Sequence, residues 1–362
     1  MEIEFFGAAG EVTGSCHILR VNGQTLLVDC GLVQGGRDAT RRNRFDFPFD
    51  PAHIDAVLLT HAHIDHCGRL PLLVKRGFRG PIYTNAACRD LLPLLLRDTA
   101  DLAARESERR ARRADDHEPI VEPLFDLEDV KRTLKLVRAL RYDTEYAPFP
   151  GVSLRIRDAG HILGSSSLDV ACTENGVTKH VVFSGDVGQY DSPILLDPFR
   201  FDLADVILME STYGDRLHHR REDTIKEIGE IIREADQDNG NVVVPAFAVG
   251  RSQEILYLLG QHFREWGLAR WKISSTALWP SKQAKSIGRM RIDSMTKRGE
   301  FERLLSRCRS FPIYVCVKPR SSHVRSIRFG LGHSSLRAAA CAMVGASCIT
   351  PLKTWSVRNV TS

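Results

Sequence analysis

Residues 58–70 read LLTHAHIDHCGRL. The run that leads into them, AVLL at 56–59, is short, apolar and partly β-branched, which predicts a buried strand; the polar residues begin where it stops. In an extended segment residues two apart face the same way, so His61 and His63 point together, while Asp65 and His66 fall at the turn into a following helix over 70–75. Three imidazoles and a carboxylate thus converge at a strand end. A nitrogen- and oxygen-rich set of this kind suits zinc, and protein ligands that do not fill the coordination shell leave room for a water. A solvated loop with clustered histidines is the alternative reading.

The H-x-H-x-D-H pattern after a buried strand resembles that of the metallo-β-lactamase superfamily of hydrolases, and further elements of that pattern occur in order. Asp29 ends an early strand in TLLVDCGLVQGG, His161 follows a strand in LRIRDAGHILGSSSL, and Asp186 follows another in HVVFSGDVG. The resemblance implies an α/β fold, the metallo-β-lactamase αββα sandwich. By the same resemblance His61, His63 and His161 would hold one zinc ion, and Asp65, His66 and Asp186 a second, with Asp186 bridging. Asp29 would orient the ligand loop rather than bind metal.

The chain has 362 residues, 43% of them hydrophobic, enough for two or more domains with real cores. No apolar run approaches the roughly 20 residues that span a bilayer, and the opening MEIEFFGAAG is acidic and strand-like rather than a signal peptide. A cytoplasmic protein is expected. The nine cysteines show no C-x-x-C pair, so they read as reduced, mostly buried thiols, with Cys67 packing rather than ligating. Short strands are expected over 3–7, 16–21, 25–30, 81–85, 152–156, 168–172 and 180–184, and helical periodicity over 86–140. The charged stretch RESERRARRADD at 105–116 has opposite charges three and four apart and reads as a solvated helix face. His117, His180, His218, His219 and His262 read as surface residues.

Two later stretches narrow the resemblance. ADVILMESTYGD at 204–215, a buried strand followed by a polar turn, resembles the first motif of the β-CASP branch, RNA- and DNA-processing nucleases that carry a cap inserted into the sandwich; its acidic residue is Glu210. NVVVPAFAVGRSQEI at 241–255 is a strand, a Gly-Arg turn and a helix. Backbone amides at that helix start, with Gly250, Arg251 and Ser252, suit a substrate phosphate. The expected domains are residues 1–210 for the sandwich and 211–273 for the first part of the cap.

From residue 274 the composition changes. Residues 274–362 carry 16 Lys+Arg against 3 Asp+Glu, whereas residues 1–273 carry 34 against 42, so the overall charge of +5 belongs to the tail and is no sign of nucleic-acid binding by the rest. After Trp271, Lys272 and Ile273 the resemblance leads one to expect an apolar residue and DSPMA, but the chain reads SSTALWP. Back-translation with permitted codons recovers DSPMA one nucleotide earlier. The same step converts RAAACAMVGASCIT at 337–350 into ASSGMCNGGRILHH, which resembles a glycine-rich turn of the β-CASP branch. Residues 274–362 are therefore read as an out-of-frame, poorly ordered or non-native tail that replaces the authentic C-terminus. A divergent but genuine basic tail is the alternative. His323 and His333 lie in this tail, and neither sits in a context resembling the two further histidines of the branch, so the second zinc site would be incomplete.

The resemblance implies a zinc-dependent ribonuclease, endonuclease or 5′–3′ exonuclease, that hydrolyses single-stranded RNA through a zinc-bridging hydroxide, with Asp65, Glu210 and Asp29 as its catalytic carboxylates. The altered C-terminus would impair it. A homodimer is consistent with the branch. The alternatives are another hydrolase of the superfamily, acting on a thioester, and a non-catalytic zinc- or RNA-binding remnant.

Overall fold

The structure, a computed structural model, describes residues 1–35, 38–112, 122–238, 240–275 and 313–319. The chain forms two compact units, Met1–Leu217 and His218–Ser362.

The first unit is built on two sheets. One contains β1 (Glu2–Gly7), β2 (Cys16–Val21), β3 (Gln24–Val28), β4 (Ala56–Leu58), β5 (Ile82–Asn85) and β6 (Val137–Leu140), side by side in chain order. The strands are antiparallel through β3 and parallel from there to β6. Parallel neighbours need crossover connections. These contain the single-turn helix α1 (Ala39–Arg42), α2 (Ile64–Cys67), α3 (Leu70–Lys75), the long α4 (Ala86–Ala111) and α5 (Leu127–Leu136). Asn85 caps α4 by accepting from the backbone N–H of Ala87, and Asp126 opens α5 with a capping box. The second sheet has the order β11, β10, β9, β8, β7, comprising β7 (Glu145–Phe149), β8 (Val152–Asp158), β9 (Ser166–Glu174), β10 (Val177–Phe183) and β11 (Val206–Leu208).

Alternation places one face of each sheet in a shared core. Leu19, Leu26 and Leu58 of the first sheet meet Leu154, Leu168, Val170 and Phe183 of the second. Three details depart from the sequence reading. The expected helix over 86–140 ends at Ala111, resumes as α5, and gives way to β6, which pairs in parallel with β5; pairing at an open sheet edge overrides local periodicity there. β7 was not expected. β11 is an edge strand with Ile207 58% exposed rather than fully buried, because only β10 pairs with it. The charged stretch at 105–116 runs along α4 as far as its end, where Glu106 pairs with Arg109 and Arg110; its last residues and His117 lie outside the described residues.

The second unit has α6 (Arg221–Gln237), β12 (Val242–Ala246), α7 (Arg251–Gln261), β13 (Trp271–Ser275) and β14 (Ile313–Pro319), with β14 antiparallel between β12 and β13. Its core gathers Ile232, Leu258, Leu259, Trp266, Leu268 and Trp271. β14 belongs to the stretch read as out of frame, and its β-branched and aromatic run IYVCV suits a strand. The rest of the stretch from Thr276 lies outside the described residues. Among the described residues no helix is long and apolar enough to cross a membrane, and Cys16, Cys30, Cys67, Cys88 and Cys172 are free and buried.

Candidate metal centre

The site forms where strands of both sheets end. β3 and β4 run parallel with Val28 opposite Leu58, so the residues that follow them, Asp29 and Thr60, come side by side. Asp29 adopts φ 59°, a left-handed conformation that aspartate tolerates better than most residues. Its carboxylate, 1% exposed, accepts from Thr60 N at 2.9 Å, the Thr60 hydroxyl at 2.9 and 3.0 Å, Ser15 Oγ at 3.2 Å and His66 Nδ1 at 2.7 Å. One buried carboxylate thereby holds the strand end and the ligand turn together.

His63 immediately precedes α2, and Asp65 and His66 lie in that single turn. The turn is fixed from outside: Cys30 N donates to His66 O at 2.8 Å, Ser15 N to Asp65 O at 2.9 Å, and Leu32 N to Ile64 O at 2.9 Å. Gly31 is required there, since a Cβ would lie 1.6 Å from the Asp65 carbonyl oxygen. Cys67 is fully buried and its thiol donates to Ala62 O, a packing role.

His161 lies between β8 and β9. Ser165 Oγ accepts from His161 N at 3.1 Å and Ile162 N at 3.2 Å, and Tyr142 donates to Ser165 O at 2.8 Å. Asp186 follows β10, and its loop closes on the His161 loop: Gly188 N donates to Ala159 O, and a Cβ on Gly188 would meet Gly160 O at 1.7 Å. Glu210, which follows β11, accepts from Val187 N at 2.8 Å, and its own N–H donates to Ser184 Oγ at 3.1 Å. It therefore anchors the residue next to Asp186.

His61, His63, His161 and Asp186 converge, with one donor atom from each lying within 4.8 Å of all the others. His63 Nδ1 is 3.1 Å from His61 Nε2 and 3.1 Å from His161 Nε2, while Asp186 Oδ2 is 3.7 Å and 3.4 Å from the same two nitrogens. A tetrahedral ion with bonds of about 2.0–2.1 Å needs donors about 3.3 Å apart, so this set fits a metal ion. Beside it, His66 Nε2 lies 3.1 Å from Asp186 Oδ1 and 4.0 Å from Asp65 Oδ2. The two oxygens of Asp186 thus face two adjoining groups of donors.

The electrostatics divide the site, favouring the ligand form at His61 and Asp186 and the protonated form at His66 and Asp65. Burial, reinforced by the neighbouring His66, His63 and His161, holds His61 well below the usual imidazole range, which leaves it neutral as a ligand must be. Burial also depresses His66, but Asp29 and Asp186 outweigh it and hold its pKa well above the ordinary value. Burial raises Asp65 against the opposing pull of His66 and His63. In Asp186 burial is outweighed by the hydrogen bond and charge of His66, and its pKa is lowered.

In the second unit, Arg251 opens α7 with its side chain 58% exposed and paired to Glu254 at 2.7 Å. Glu254 also pairs with Arg221. Gly250 N donates to Gln253 Oε1, and Ser252 Oγ, in a fully buried residue, donates to Phe247 O. Gly250 and Ser252 thus use these groups to shape the loop, while Arg251 presents its charge outward. His323 and His333 lie outside the described residues. Thr60 and Ser184 were missed in the sequence; the one available signal was a hydroxyl residue at the end of each buried strand.

The sequence pattern of the metallo-beta-lactamase superfamily matches residues 9–245, and this chain belongs to that superfamily. Ribonuclease TTHA0252 of Thermus thermophilus is 41% identical over 262 residues, covering 72% of this chain and 55% of that protein. Transcription termination factor FttA of Methanococcus maripaludis is 31% identical over 266 residues, covering 72% and 39%. FttA of Methanothermobacter thermautotrophicus is 35% identical over 266 residues, covering 71% and 39%. The chain thus spans about half or less of the length of these relatives.

Proposed function

We propose that this chain is a ribonuclease of the β-CASP branch, hydrolysing phosphodiester bonds of single-stranded RNA with two zinc ions. The observation that carries the reading is the convergence of His61, His63, His161 and Asp186, one donor atom from each lying within 4.8 Å of the others, beside His66, in a chain 41% identical to a protein named as a ribonuclease. His61, His63 and His161 would hold one ion; Asp65 and His66 the other; Asp186 would serve both. Zinc bound in such a pair acidifies water and polarises a phosphoryl oxygen. The chain's own residues supply the rest. Asp29 fixes the ligand turn, Glu210 holds the Asp186 loop through Val187, and Arg251 offers an exposed guanidinium for a phosphate with little sequence reading.

Residues 274–362 are proposed to be translated out of frame, which would impair the activity. The break in charge and composition at residue 274 supports this. A cytoplasmic location is part of the same reading, and homodimerisation rests on the resemblance alone. Cleavage of a labelled single-stranded RNA, with and without chelator, tests the reading. Loss of cleavage on chelation, with no turnover of a thioester, is expected; thioester hydrolysis without RNA cleavage would overturn it. Sequencing the gene around codon 273 tests the frame, and an intact frame shared by close relatives would refute the shift.

A further inference from the structure

Thr60 occupies a position where both sheets and the donor cluster meet. Its hydroxyl lies 3.0 Å from His61 Nδ1 and 2.9–3.0 Å from the Asp29 carboxylate. Its carbonyl accepts from Ser166 N of β9 at 2.9 Å. Its methyl side faces Gly185, where a Cβ would come within 2.9 Å of Thr60 Cβ. The residue is 1% exposed, so these partners account for it without water.

A hydroxyl has one proton. The Asp29 carboxylate, which already accepts from Ser15, Thr60 N and His66, can only accept, so the Thr60 hydroxyl donates to Asp29. Its lone pair is then left for His61, and the proton of neutral His61 must sit on Nδ1. That leaves the Nε2 lone pair aimed at His63, His161 and Asp186, 3.1 Å from His63 Nδ1. His66 is set in the same way without an intermediary, donating from Nδ1 to Asp29 at 2.7 Å and turning Nε2 toward Asp186. One carboxylate thus fixes a histidine in each group of donors, directly for His66 and through a hydroxyl for His61.

We propose that Thr60 is a positioning residue that passes the orientation set by Asp29 to His61, so that the affinity of the His61–His63–His161 group for its metal ion depends on the Thr60 hydroxyl and not on the bulk of the side chain. The inference rests on the metal-site reading given under the proposed function. Partners of metal-bound histidines characteristically tune affinity by about 10–100-fold.

Thr60→Val keeps the branched shape against Gly185 and removes the hydroxyl. Thr60→Ser keeps the hydroxyl and removes the methyl. The full chain in all three forms is titrated with zinc against a chromophoric chelator, and thermal melting of the metal-free proteins is followed alongside. The expected result is a tighter-binding step weakened about 10–100-fold in Thr60→Val and restored to within about threefold in Thr60→Ser, with the metal-free folds retained. Equal affinity in Thr60→Val and wild type overturns the inference, as does an equal loss in both variants, which would assign the effect to packing on Gly185. A wild-type chain that binds no zinc would instead overturn the metal-site reading itself.

Discussion

His66 donates from Nδ1 to Asp29 Oδ2 at 2.7 Å while its Nε2 lies 3.1 Å from Asp186 Oδ1. This imidazole bridges a carboxylate that follows the first sheet and one that follows the second, so the packing of the sandwich and the geometry of the site depend on each other. Asp29→Ala would leave the buried donors of Thr60, Ser15 and His66 without their acceptor. Breaking a buried ionic pair costs about 3–5 kcal/mol, and chemical denaturation of the variant should show a loss of that order together with reduced zinc content. Unchanged stability would mean that Asp29 is not the organising acceptor.

Gly31→Ala places a methyl group 1.6 Å from the Asp65 carbonyl oxygen. Both sides of the contact are backbone, so neither can turn away, and the ligand turn must shift. The variant should lose metal and more than about 3 kcal/mol of stability, beyond an ordinary point substitution. Wild-type zinc stoichiometry in a folded Gly31→Ala protein would contradict the close approach.

Glu210 acts on Asp186 through Val187 N. Glu210→Gln retains an oxygen acceptor, whereas Glu210→Ala does not. Zinc affinity should therefore be nearly unchanged in the first and reduced in the second, as read by chelator competition. Equal losses in both would indicate that the negative charge, not the acceptor, is what the site requires.

Asp98, on α4, is raised to about 7, chiefly by burial and then by Asp101, against the opposing charge of Arg105. A carboxylate whose folded pKa lies above its unfolded value binds more protons when folded. Its stabilising contribution is complete below about pH 3.9 and is lost as the pH rises through about 7. Asp98→Asn removes that titration. The stability of the variant relative to wild type should increase from pH 5 to pH 8, by about 1 kcal/mol or more, measured by urea denaturation at each pH. A difference that does not change with pH would show that Asp98 titrates normally.

Part of the candidate site was legible from local pattern, and part only through the resemblance to the superfamily. A short apolar run followed by alternating histidines brought His61 and His63 to one side, and Asp29, His161 and Asp186 each follow a recognisable strand. The strand β6 was not legible, since it takes its conformation from pairing with β5, 55 residues earlier at Ile82 opposite Val137. Thr60 escaped notice for a related reason. Its partners Asp29, Ser166 and Gly185 are distant in sequence, and an isolated threonine beside a motif has no periodicity. The Ser252 hydroxyl likewise has a partner that no periodicity marks, since it donates to Phe247 O.

Zinc per chain, measured by elemental analysis on the wild type and on His63→Ala and Asp186→Ala, tests the central claim most directly when run beside cleavage of a labelled single-stranded RNA. Bound zinc is expected in the wild type, less in both variants, and chelator-sensitive cleavage that increases when the reading frame after codon 273 is restored. A wild-type chain without zinc, or RNA cleavage indifferent to chelator and to both substitutions, would contradict it.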